Sequence, residues 1–198
     1  SLSSTSLPTP AAAAPSTGAV MNGHYLTPVE GGFNCAAPVD ITELSSSSGY
    51  TDSGVVSTID DLGRYMQAEA AQVLRDKDAK PARYGAPLPA ADGAPSWFQA
   101  TGGGFLAGSM IGQQGWTPGY ASAAYADPAT GFTVAVVLND STAGATFAQY
   151  LAWELAAIAS KAPAASGQTA PEFGLPFTAE QYDQAITDVA IPCVAPVE

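Results

Sequence analysis

Basic residues are scarce in this sequence. Lys and Arg number six against 18 Asp and Glu, so the net charge is −12 over 198 residues. A nucleic-acid surface needs clustered cations to neutralise phosphate, and here there are too few to cluster. The same shortage argues against an anionic membrane surface; acidity of this kind serves mainly solubility. Long apolar runs are also missing. The longest clean one, "FTVAVVL" (Phe132 to Leu138), falls well short of the ~18 residues that span a bilayer. No basic segment followed by an apolar one opens the chain, so no signal peptide is legible at Ser1. The chain is either a mature, processed product or a fragment, and "SLSSTSLPTP", which reads as mid-domain sequence, favours a fragment of a longer protein. Histidine occurs once, at His24, and cysteine twice, at Cys35 and Cys193. One His, and no Cys or His at ligand spacing, is too little for a zinc site. The cysteines leave two readings open: a disulfide joining the two ends of the chain, or two buried thiols. A disulfide would close a long loop and stabilise by roughly 4–5 kcal/mol in the chain-entropy model. It would also imply an extracytoplasmic setting: secreted, periplasmic or cell-wall associated.

What is present suffices for one domain with a core, since 46% of residues are hydrophobic. Residues 1–20 are Pro-, Ala- and Ser-rich and read as a linker or loop. Residues 21–198 read as a single α+β domain, in which 160–177 is a linker to a short C-terminal helix. Residues 21–54 suggest irregular structure with at most short strands. "STID" at Ser57 is a capping box in which Ser57 takes the Asp60 N–H. Ile59, Leu62, Met66, Val73 and Leu74 then predict one helical stripe to about Arg75. From Trp97 the texture becomes strand-like, with strands expected near 97–101, 104–112, 119–126 and 132–139. "DPATG" between the last two is a hairpin turn: Pro128 fits its second position and Gly131 can take positive φ. "FTVAVVLN" is apolar on both faces and predicts a central strand covered on both sides. A helix follows over 144–160 with a stripe of Phe147, Leu151, Leu155 and Ile158. "TAEQ" at Thr178 starts a shorter helix to about Val189.

Groups that do chemistry are hard to find. There is no Gly-x-Ser-x-Gly elbow and no Ser-x-x-Lys: three residues before Lys77, Lys80 and Lys161 stand Leu74, Lys77 and Ile158. His24 lies in a Gly- and Pro-rich stretch with no marked Ser partner, which favours a surface or structural role. "GGGFLAGS" lacks the Lys of a phosphate loop, and no carboxylate pair has acid/base spacing. "GQQGWTPGY" (Gly112 to Tyr120) is shaped and polar, stands where one strand should end and another begin, and carries no reactive side chain.

Two stretches and the opening resemble a known family. "SGVVSTIDDLGRYMQA" is similar to the Gly-Leu-x-Ser-Thr-x-x-Asp-Leu-x-Arg segment of serine β-lactamase-like hydrolases: class C β-lactamases, D-alanyl-D-alanine carboxypeptidases and related esterases. "GQQGWTPGYASAAYADPATGFTVAVVLND" resembles their strand–hairpin–strand segment, where Lys or His, any residue, then Gly precede a Thr-Pro-Gly-Tyr turn. "LSSTSLPTP" resembles the segment after their Pro-Leu-Gly-Met stretch. Together these cover most of residues 1–160. The resemblance implies an antiparallel sheet flanked by helices, and a chain that is the C-terminal portion of such an enzyme. The nucleophile motif and the Tyr-x-Asn motif would lie in the missing N-terminal portion of the parent. It implies that Gln113 stands where a cation contacts the substrate carboxylate, beside Gln114, and that Gly115 lets the substrate approach. It also implies that the Trp116 backbone N–H donates to the oxyanion. The substrate would be a β-lactam, a D-Ala-D-Ala peptide or an ester, with no metal or organic cofactor. Gln113 in place of a cation keeps an alternative open: a non-catalytic, penicillin-binding-like module for cell-wall peptides or a protein partner.

Overall fold

Short alternating runs between Gly-containing turns fold into two antiparallel sheets. The computed structural model describes residues 1–8, 20–44, 49–74, 85–162 and 170–194. β1 (His24–Val29) and β2 (Gly32–Asp40) form a hairpin. A six-stranded sheet runs in chain order: β3 (Leu88–Pro89), β4 (Phe98–Thr101), β5 (Gly104–Ala107), β6 (Met110–Thr117), β7 (Tyr120–Ala126) and β8 (Thr133–Leu138). The helices are α1 (Tyr50–Ser53), α2 (Ile59–Ala70), α3 (Gly144–Lys161) and α4 (Ala179–Asp188). α3 covers one face of β6–β8, α2 covers the other, and α4 packs on α3. This is the α+β arrangement, an antiparallel sheet flanked by helices, that the sequence predicts.

The alternation of β7 explains why both faces are filled. Ala121, Ala123 and Tyr125 face α3 and meet Ala148, Ala152, Trp153 and Ala156, whereas Ala124 and Ala126 face α2 and meet Met66 and Ala70. The "DPATG" turn forms as expected. Asp127 accepts from the N–H and hydroxyl of Thr130, and Gly131 sits at φ 73°. Thr178 caps α4 with the reciprocal Gln181 bond of a capping box.

Elsewhere the structure corrects the sequence reading. The cap of α2 is Thr58, whose hydroxyl accepts from the Asp61 N–H, one residue beyond the predicted Ser57–Asp60 pair. Asp61 is instead buried, accepting from Ser4 N and the Thr5 hydroxyl at 2.7 and 2.9 Å. α2 stops at Ala70, so Val73 and Leu74 are exposed rather than on its stripe, and Arg75 lies outside the described residues. The expected strand over 104–112 is two strands. Gly108, at φ 60°, turns the chain between β5 and β6, and a side chain there would run into the Phe173 carbonyl. Residues 21–54 hold a hairpin of six- and nine-residue strands, not merely short ones. β8 is covered on both faces as predicted, but it is the edge strand of the sheet, not a central one.

α3 turns a different face inward than its large residues suggest. Ala148, Ala152, Ala156 and Ala157 are buried with Trp153, while Leu155 and Ile158 stay 42% and 49% exposed. Small side chains let the helix sit close to the sheet. Of the two stretches read as linkers, residues 9–19 and 163–169 lie outside the described residues. Ser6 pairs with Val56 through two 2.9 Å backbone bonds, and Phe173 is buried in the core against Phe132.

Candidate functional site

"GQQGWTPGY" is a continuous strand followed by a tight turn, not a strand end. Gln113, Gln114, Gly115 and Trp116 all lie on β6, and Pro118 and Gly119 turn the chain into β7. The ladder decides which way each backbone group points. Asp127 N donates to Phe132 O at the closing turn, so odd-numbered β7 residues bond to β8 and even-numbered ones to β6. Their β6 partners are Gln113, Gly115 and Thr117. The N–H and C=O of Gln114 and Trp116 therefore point away from β7. β5 pairs with Met110, Ile111 and Gly112, so from Gln113 onward the outer edge of β6 has no strand beside it among the described residues.

The side chains along this edge are held from behind. Tyr125 donates its hydroxyl to Gln114 Oε1 at 2.6 Å, and Gln149 Nε2 of α3 donates to Tyr125 at 3.1 Å. Burial pushes the Tyr125 pKa far above the ordinary tyrosine value, so the ring stays neutral. Gln113 donates from Nε2 to Gly103 O at 3.1 Å, and its Oε1 accepts from the Gln114 N–H at 3.0 Å. Of the two outward amides, Gln114 is thus taken by a side chain, and Trp116 has no such partner among the described residues. The Trp116 side chain is 62% exposed, and a Cβ on Gly115 would meet open space.

The turn end of the strand is pinned by the small hairpin. Tyr120 donates its hydroxyl to Met21 O at 2.7 Å, and His24 N donates to both Gly119 O and Asn139 O. His24 Nδ1 also lies 3.3 Å from Asn139 O, and among the described residues no serine hydroxyl bonds to the ring. Thr42 bonds to Asp40 and, with His24 nearby, holds its carboxyl below the usual range. Cys35 and Cys193 are bonded, with Cα atoms 5.5 Å apart. Among the described residues no group of His, Cys, Asp and Glu gathers to hold a metal.

The Tyr125–Gln149 support escaped the sequence reading. Its only trace is a glutamine inside the apolar run "TFAQYLAW", but pairing it with Gln114 requires the β6–β7 register.

The comparisons with known proteins bear on the fold and the family. No curated protein matches the chain. Among solved structures it is similar to a D-stereospecific amidohydrolase from Streptomyces sp., with a TM-score of 0.57 at 17% identity. The match covers 73% of this chain and 41% of the amidohydrolase, so it speaks for the fold, and more than half of that protein has no counterpart here. The family model Beta-lactamase matches residues 1–157. That match spans most of the chain, and with its antiparallel sheet flanked by helices the chain belongs to the beta-lactamase family, within the serine hydrolase superfamily.

Proposed function

We propose that this chain is the C-terminal portion of a serine hydrolase of the β-lactamase/DD-peptidase type, supplying one wall of its acyl-enzyme site. The observation that carries this reading is the uncovered outer edge of β6, where the Trp116 N–H points outward without a strand partner. An amide fixed in a ladder is pre-oriented, and an oxyanion-hole donor of this kind is worth roughly 3–4 kcal/mol in the transition state. The open space above Gly115 leaves room for a substrate backbone. The nucleophile would come from the N-terminal portion of the parent. The substrate would be a β-lactam, a D-Ala-D-Ala peptide or an ester. The Cys35–Cys193 bond supports an extracytoplasmic setting.

Gln113 would face the substrate carboxylate where a cation is expected. A neutral amide forms weaker hydrogen bonds than a charged donor, and here its Oε1 and one N–H are already bonded to the protein. Gln113→Lys in the parent should therefore raise kcat/KM for a β-lactam or a D-Ala-D-Ala peptide about tenfold, and change p-nitrophenyl acetate hydrolysis little. Equal changes for the two substrates, or none, would remove Gln113 from the site. The same engaged amide favours a second reading, a module that binds cell-wall peptides without turnover. A serine-linked adduct of the parent with labelled penicillin decides for the enzyme. Its absence, with a measurable dissociation constant for the peptide, decides for the module.

A further inference from the structure

One short segment behind the β6–β7 turn carries reactive chemistry that the candidate site does not use. Of the asparagines in the chain, only Asn22 is followed by glycine. In such a pair the next amide nitrogen can attack the asparagine Cγ, because a glycine without Cβ lets the backbone bring the two together. The fold requires glycine here. Gly23 is buried, and a Cβ on it would stand 2.6 Å from the Tyr120 ring. Asn22 itself is exposed to water.

Both reacting groups are engaged elsewhere. The Gly23 N–H donates to the Thr42 hydroxyl at 2.9 Å, and Asn22 Nδ2 donates to Asp40 Oδ2 at 3.2 Å. Thr42 is fixed in turn: its N–H and its hydroxyl both donate to Asp40 Oδ1, at 2.9 and 2.6 Å. Attack requires Gly23 N to give up its proton and the Asn22 side chain to swing over it, so both bonds must break first. One residue earlier, Met21 O accepts the Tyr120 hydroxyl that pins the turn after β6.

We propose that Asn22 is a deamidation site, held closed in the folded chain by Thr42 and Asp40, and that its reaction releases the turn after β6. Gly23 N bonds to Asn22 Cγ, and the side-chain nitrogen leaves as ammonia with the proton from the Gly23 amide. Water then opens the succinimide ring at one carbonyl or the other, giving aspartate or isoaspartate. Either product sets a new carboxylate beside Asp40, where like charges repel. Isoaspartate also lengthens the backbone by one methylene between Met21 and Gly23, which moves Met21 O away from Tyr120.

The test is ageing of the full-length protein at mildly alkaline pH, with peptide mapping by mass for the exchange of –NH2 for –OH at residue 22. Unfolded in guanidinium, the protein should deamidate at Asn22 on the order of tenfold faster or more than when folded. Thr42→Val should speed the folded reaction by roughly fivefold to tenfold, as the loss of one hydrogen bond allows, and Thr42→Ser should leave it unchanged. If Thr42→Val does not fold, hydrogen exchange at the Gly23 amide of the unaltered protein reads the same bond, and that amide should be protected. Equal rates folded and unfolded, no effect of Thr42→Val in a folded variant, or an unprotected Gly23 amide would overturn the closed site. Aged molecules separated by charge should melt at a lower temperature than fresh ones, and identical melting would overturn the release of the turn. None of these readouts depends on turnover, so they stand or fall apart from the hydrolase reading.

Discussion

Two buried tyrosines in this core meet opposite fates. The Tyr125 hydroxyl both donates and accepts, between Gln114 and Gln149. The Tyr182 hydroxyl is as deeply buried and has no hydrogen-bond partner among the described residues. Deleting a satisfied hydroxyl strands its partners, whereas deleting an orphaned one removes a desolvation cost. Tyr125→Phe should therefore destabilise by about 1–3 kcal/mol, and Tyr182→Phe should be neutral or stabilise by up to about 1 kcal/mol, both read from denaturant midpoints. If Tyr182→Phe costs as much as Tyr125→Phe, its hydroxyl has a partner after all. Burial raises the pKa of both rings, with Tyr150 adding to the effect at Tyr182. An unfolded tyrosine ionises near pH 10, while these two stay neutral in the folded chain. The stability they confer is complete below about pH 10 and is lost as pH rises beyond it toward their raised folded values. In a titration followed by phenolate absorbance, two of the eight tyrosines should ionise only together with the loss of circular dichroism. Ionisation of all eight before that loss would contradict the burial.

Close backbone approach and small side chains set the elements together. Gly108→Ala should destabilise by several kcal/mol, since a Cβ at positive φ would also meet the Phe173 carbonyl. On α3, Ala152→Leu should cost about 1–3 kcal/mol by overpacking a fully buried position. Leu155→Ala should cost less than about 1 kcal/mol in the 198-residue chain, because Leu155 is partly in water. The reverse order in thermal melts would mean that the large residues face the sheet. This pair also shows what was legible in the sequence. The "DPATG" turn and the Thr178 capping box could be read because their bonds span three or four residues. The inward face of α3 could not, since periodicity weighted by size picks leucines, and the sheet selected alanines. The β1–β2 hairpin was hidden because Pro28 and Pro38 interrupt its alternation, and its register slips between Tyr25 and Thr27. The Gln113–Trp116 stretch was found by resemblance, but that it is a strand with an open flank depends on where β5 ends. The position of β8 at an edge depends on which strand pairs beside it, and a strand's own composition carries no record of that.

Across the whole molecule, the disulfide joins the small hairpin to the C-terminal segment. Beside it Phe33 N donates to Pro192 O and Val194 N to Phe33 O, both at 2.9 Å, so the bond reinforces a backbone seam already made. Reduction should lower the melting temperature on the order of 10 °C. A Cys35→Ala/Cys193→Ala variant should match the reduced protein, and a shift in the reduced protein alone would trace the effect to the thiol reagent. Because 158 positions separate the two cysteines, the covalent structure between them is a ring that carries the entire six-stranded sheet. A protease that cuts once inside that ring opens it without dividing it. The nicked molecule would keep its mass apart from one added water, run as one species on a non-reducing gel and fall into two only with thiol. A cut before Cys35 releases a fragment at once. The linkage thus separates damage to the chain from loss of the molecule.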